Sequence, residues 1–144
     1  MNFWLCNFRS LRKVDITFPN GICALVGDSG TGKTTIITGI CWVLYGSLGS
    51  GQHRAINVKP SNDISTRGAL SFNIRNDVHV IVRIGPGRCD GEAPPWLDVN
   101  IKNVIMSYKG SSVFEGYWIN GTPVHFDNMR NQIFGSHGTF TSTS

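Results

Sequence analysis

No apolar run in the chain approaches the roughly 20 residues that a membrane-spanning helix requires, and the N-terminus lacks the basic-then-apolar order of a secretory signal. The expectation is a chain that stays off the membrane and inside the cell, in the cytoplasm or nucleus. Cysteine is sparse: Cys6, Cys23, Cys41 and Cys89 show neither the close pairing of zinc sites nor a dense disulfide framework. They are expected as reduced thiols, and Cys6, Cys23 and Cys41 fall in apolar segments, where cysteine packs as a small hydrophobe. Charge is low, at 15% of residues. The basic residues Arg54, Lys59, Arg67, Arg75, Arg83, Arg88, Lys102, Lys109 and Arg130 are scattered, which suits a solvated surface for most of them. Neither an internal repeat nor a low-complexity tract is present beyond a Thr/Ser tail at 139–144.

What is present suits one domain, since 144 residues with 40% hydrophobic content can bury a single core. A net charge of +4 favours phosphate ligands or nucleic acid without requiring either. Trp4 to Phe8 and the alternating stretch Lys13 to Phe18 predict two strands, punctuated by Pro19-Asn20-Gly21. Ile22 to Val26 is a continuous apolar run, the pattern of a strand buried on both faces. Helical spacing begins at Lys33, with Ile36, Ile37, Ile40, Val43 and Leu44 on one stripe and Gly46 as its stop. The polar stretch Ser47 to Ser65 is expected as a long surface loop. Strand-like runs follow at Ala69 to Ile74, Val78 to Ile84, Leu97 to Met106 and Val113 to Ile119. Asn120-Gly121 is a hairpin signal, and Asp127 can cap a short helix carrying Met129, Ile133 and Phe134, closed by Gly135.

Between the buried run and the helical stripe lies Gly27-Asp28-Ser29-Gly30-Thr31-Gly32-Lys33-Thr34, which matches the phosphate-loop pattern GxxxxGK[ST]. Its place, after a strand and before a helix, is the context the chemistry needs. Gly27, Gly30 and Gly32 let the backbone take conformations closed to other residues and approach a ligand without a Cβ in the way. Successive N–H groups then converge on an anion at the positive end of the helix dipole. Lys33 brings an ammonium to the β- and γ-phosphates and is the candidate catalytic residue. Thr34 offers a hydroxyl to magnesium, Thr35 can donate to the α-phosphate, and Ser29 and Thr31 complete the loop. ATP with magnesium is the expected ligand. A Gly-rich structural turn is the plain alternative.

Leu5-Cys6-Asn7-Phe8-Arg9-Ser10, then Ala24-Leu25-Val26-Gly27 and Gly30 to Ile37, resemble the N-terminal half of SMC-like ATPases. These comprise chromosome-structure proteins, the ATPase of the double-strand-break repair complex, and RecN and RecF. Ala69 to Ile74 with Val78 to Arg83 looks like the paired strands of those heads, and Tyr117 to Gly121 resembles their later hairpin. The resemblance implies an α/β fold, a P-loop NTPase of ABC-ATPase type whose N-terminal lobe has a mixed, partly antiparallel sheet over residues 1–138. It also implies that Arg9 lies near the phosphates, although an exposed strand-end charge explains that residue equally well. Ala55 to Asn57 would lie near the adenine and ribose.

Departures from the family pattern limit what carries over. Asp28 and Ser29 stand where the family has proline and asparagine, and Asp28 puts a negative charge near the phosphates. Nowhere does an apolar run end in Asp-Glu, and neither a Leu-Ser-Gly-Gly signature nor a switch histidine follows. The resemblance therefore implies an ATP-binding lobe for DNA repair or chromosome organisation that takes its remaining motifs from a complementary lobe or second subunit, with DNA as a further partner. A non-catalytic nucleotide-binding module and another ABC-type ATPase are the alternatives. A GTPase is disfavoured because no Asn-Lys-x-Asp run exists.

Overall fold

The computed structural model describes residues 1–8, 11–18, 31–46, 64–89 and 91–125, the side chains of 31–34 excepted. The predicted strand Ile22 to Val26, nearly all of the Ser47 to Ser65 loop and the helix predicted from Asp127 lie outside the described residues.

Two strands open the chain, β1 (Asn2–Phe8) and β2 (Leu11–Thr17), followed by helix α1 (Thr31–Tyr45). Then come β3 (Arg67–Ile74), β4 (Asp77–Ile84), helix α2 (Val99–Ser107), β5 (Phe114–Ile119) and β6 (Thr122–Pro123). The strands form one six-stranded sheet in the order β2-β1-β3-β4-β5-β6. Every pairing between these named strands is antiparallel, and an isolated parallel bridge joins Ile64 to Arg88. The antiparallel part of the expected sheet is thus in place; its expected mixed part centres on Ile22 to Val26.

Turn chemistry sets the register. Arg75 and Asn76, at φ 56° and 87°, join β3 to β4, while Asn120 and Gly121, at 51° and 82°, join β5 to β6. Two successive positive φ values match the twist of an antiparallel ribbon. Asn120 also ties its turn to a neighbour, since its Oδ1 accepts from the Val78 N–H at 2.9 Å and its Nδ2 donates to Asp77 at 3.0 Å.

Alternation along the strands splits the interior into two cores. On one face Phe3, Leu5, Leu70, Ile81 and Tyr117 pack with Ile40, Val43 and Leu44 of α1. On the other, Trp4, Cys6, Ala69, Val80, Val82 and Ile84 pack with Leu97, Ile101 and Ile105. Each fully buried aliphatic side chain stabilises the fold by about 1.5–3 kcal/mol. Helix α1 is more deeply enclosed than one apolar stripe implies: Cys41, Trp42 and Tyr45 are buried together with Ile40, Val43 and Leu44. Burial also pushes the Cys41 thiol up from its ordinary pKa. Cys6, Cys41 and Cys89 are free thiols, as expected; Cys23 lies outside the described residues.

Two expectations are corrected. The strand predicted over Leu97 to Met106 is helix α2 from Val99 onward. Leu97, Val99 and Ile101 alternate like a strand, but Asp98 caps the helix by accepting from the Asn100 N–H at 2.8 Å. Ile101 and Ile105, one turn apart, then face the sheet, leaving Val99 65% exposed. The second correction concerns Arg67 and Arg83, which are not solvated: they are 0% and 3% exposed. Arg67 lies 5.5 Å over the Trp4 ring and donates to the Glu92 carbonyl at 3.0 Å and to the sulfurs of Cys6 and Cys89. Such groups offset part of the cost of burying a guanidinium that could not be buried bare.

Candidate nucleotide-binding site

The phosphate-loop motif runs directly into α1. Its last four residues, Thr31, Gly32, Lys33 and Thr34, form the first turn of this 15-residue helix. The opening N–H groups of a helix have no partner within it, and the macrodipole places partial positive charge there. An acidic residue in that turn would neutralise the charge, and α1 has none. The first turn of α1 therefore favours an anion, and it contains the cationic residue Lys33. Thr35, one step on, is half-buried. Arg9, Gly27, Ser29 and Gly30 lie outside the described residues, as do Asp28 and Ala55 to Asn57.

Glycine permits a close seat for this helix on the sheet. A Cβ added at Gly39 would lie 2.7 Å from Leu5 Cδ2, and one at Gly68 would lie 2.4 Å from Val43 Cγ2. Helix and strands thus touch where one partner has no side chain. At its far end α1 stops at Gly46, whose φ is 76° and whose N–H donates to the Trp42 carbonyl at 2.8 Å.

The strand leading to Arg9 is also anchored. Asn7 has φ 58° and is 4% exposed. Its Nδ2 donates to the Ile64 carbonyl at 2.6 Å, and its own carbonyl accepts from the Thr66 hydroxyl at 2.6 Å. Strict alternation would place Phe8 beside Trp4 and Cys6. The left-handed turn at Asn7 instead brings Phe8 into the core on the α1 side, with its ring 5.9 Å from Trp42. Asparagine is among the few residues besides glycine that take this conformation readily.

Sequence reasoning missed three sets of buried contacts around α1 and β1: Asn7 as an anchor, the Gly39 and Gly68 seat, and Arg83, whose Nε donates to the Val43 carbonyl of α1 at 3.2 Å. One signal for Arg83 was present, because a charged residue between Val82 and Ile84 has to find buried partners. Elsewhere on the α1 face, His79 stacks between Phe72 and Tyr117 and shares a 2.7 Å hydrogen bond with the Tyr117 hydroxyl. Burial holds His79 below its ordinary pKa against the opposing pull of Asp77. It pushes Tyr117 up to about 12, with the Asp77 charge adding to the rise.

A family model described as an AAA domain matches residues 5–112. Over 82 residues the chain is 28% identical to the DNA double-strand break repair Rad50 ATPase of Methanococcus maripaludis, covering 57% of this chain and 8% of that protein. A 40-residue stretch is 42% identical to the chromosome partition protein Smc of Methanococcus voltae, covering 28% of this chain and 3% of the relative. Among solved structures, the SMC head domain from Thermotoga maritima aligns with a TM-score of 0.46 and 20% identity, over 91% of this chain and 40% of that one. The chain thus corresponds to a small part of the length of these relatives.

Proposed function

The chain belongs to the AAA domain family, and on that premise we propose that it is an ATP-binding lobe of an SMC- and Rad50-like ATPase serving DNA repair or chromosome organisation. The observation that carries the reading is the helical first turn Thr31 to Thr34, which continues the Gly27 to Thr34 motif and contains no acidic residue. In this proposal the N–H groups of Gly30 to Thr34 cradle the phosphates, Lys33 neutralises the β- and γ-phosphates, and Thr35 donates to the α-phosphate. Ser29 and Thr31 line the loop, and Arg9 approaches from the end of β1.

The motif suits a magnesium ion to the extent of one side-chain oxygen, the Thr34 hydroxyl, because this ion keeps most of its other positions for water and phosphate oxygen. When bound, the ion would draw negative charge from the phosphates. Hydrolysis belongs to a complex with a complementary lobe or second subunit, since the sequence has no adjacent Asp-Glu pair to support the metal and position water. DNA is proposed as a further partner; contact through phosphates requires affinity to fall steeply with salt.

The decisive test is calorimetric titration with ATP and magnesium of the wild type and of Lys33→Ala. A charge-assisted contact contributes about 1.5–3 kcal/mol, so the variant should bind more than tenfold more weakly. Equal affinity in the two proteins would reduce the motif to a structural turn.

A further inference from the structure

Helix α1 carries no acidic residue in its first turn and no basic residue in its last. A phosphate would complement the first end. The second end is complemented from outside the helix, by Arg83 of β4. The Arg83 Nε donates to the Val43 carbonyl in the final turns of α1 at 3.2 Å, and Nη1 is bound to the Glu115 carboxylate of β5. The guanidinium carbon lies 6.0 Å from the Trp42 ring centroid. Gly46 leaves the space it needs, since a Cβ there would fall 3.0 Å from Nη1 and 3.1 Å from the guanidinium carbon. One buried cation therefore joins the helix C-terminus to two strands.

The contacts along the helix do a different job. Gly39 and Gly68 let α1 lie close to the sheet. Close approach fixes height above the strands, whereas a directed hydrogen bond to a carbonyl near the helix end fixes position along the axis. A helix of this length spans roughly 22 Å and moves as a rod. Displacing its last turn thus displaces Lys33 and the phosphate-facing N–H groups in its first.

We propose that Arg83 is a positioning residue for the nucleotide site, holding α1 at the axial position where its first turn can receive phosphate. The inference rests on the ATP-binding reading above. Binding of an anion at one end of the rod and seating of Arg83 at the other are then linked, and linkage of this kind is reciprocal. Arginine suits the role because its planar fork serves Val43 and Glu115 together from two nitrogens, while lysine keeps the charge with its three donors on one nitrogen.

Two measurements on the same 144-residue chain test the proposal. The first compares ATP and magnesium affinity by calorimetry in wild type, Arg83→Gln and Arg83→Lys, each shown to be folded by its thermal melt. Arg83→Gln should lose about five- to tenfold in affinity, and Arg83→Lys should recover most of it. The second follows the Arg83 Nε–H resonance of the wild type by NMR. It should shift on saturation with ATP and magnesium, which a residue serving stability alone would not do. A folded Arg83→Gln with wild-type affinity, or a resonance unmoved at saturation, would overturn the proposal. Should Arg83→Gln fail to fold, the wild-type resonance decides alone. A wild type that binds no ATP would instead refute the function proposed above, and this inference with it.

Discussion

Val43 meets Gly68 where strand β3 has no side chain, so closely that a Cβ on the strand would sit 2.4 Å from Val43 Cγ2. This contact seats the helix that carries the phosphate-loop residues. Gly68→Ala forces the helix off the sheet or Val43 out of its rotamer, an overpacking cost of about 1–3 kcal/mol. Urea unfolding should register that loss. Adding Val43→Ala removes the colliding methyl, so the double variant should be more stable than the two single effects added together. Simple additivity would mean that the seat tolerates the extra carbon.

Asn7 holds the end of β1 through its left-handed backbone and its bond to Ile64. Asn7→Ala should destabilise the chain by about 1–3 kcal/mol, because the Ile64 carbonyl loses its donor and alanine resists positive φ. Asn7→Gly isolates the two contributions, since glycine removes the bond but accepts the conformation. It should fall between wild type and Asn7→Ala in chemical denaturation. A glycine variant as unstable as the alanine one would assign the whole effect to the hydrogen bond.

The His79 stack has a pH signature. Its folded pKa lies below the ordinary value near 6.5, so the unfolded chain takes up the proton first as pH falls. Stability from this residue is complete above about pH 6.5 and is lost as pH drops through the lowered folded value. Plots of unfolding free energy against pH should therefore slope less steeply below pH 6.5 in His79→Gln than in wild type. Parallel curves would show that His79 contributes no such dependence.

Turnover by the isolated chain should be negligible even where ATP binds. Lys33 and Thr34 provide phosphate contacts, but no adjacent pair of carboxylates exists in the sequence to support magnesium and water. Phosphate release from the purified chain, with Lys33→Ala as the control for contaminants, measures this directly. A rate of about one per second, lost in the control, lies in the range of working enzymes and would reveal a catalytic group supplied from elsewhere in the chain. Release that appears only when a second polypeptide is added would identify the complementary lobe.

Much of the fold could be read from local chemistry. Strands β1 to β5 follow runs of alternating or continuous apolar residues, Asn120-Gly121 makes the predicted turn, and Gly46 ends α1 where expected. The misreading at α2 has a local cause: Leu97-Asp98-Val99-Asn100-Ile101 satisfies the strand period and the helix period at once. Asp98 as a cap and burial of Ile105 against the sheet chose between them. At the site, the apolar spacing put the start of the helix near Lys33, two residues inside its observed start at Thr31, and did not show what that helix packs against. Those contacts come from residues distant in sequence, and spacing along the chain carries no record of which side chains meet.

Alone, the sequence supplied the proposal of phosphate binding, because glycine, lysine and threonine would act there through their own backbone freedom, charge and hydroxyl. It also determined most strand positions and the turns, since hydrophobic period and positive-φ propensity are properties of a few neighbouring residues. Only the tertiary structure decided the fate of the charges. Arg67 and Arg83 have the same ionised side chain as exposed Arg75 and Arg88, yet the first two are enclosed by aromatic rings and hydrogen-bond partners contributed by other elements. Burying a cation is unfavourable until those partners are assembled around it, so its place is settled by the packing of the whole sheet and both helices.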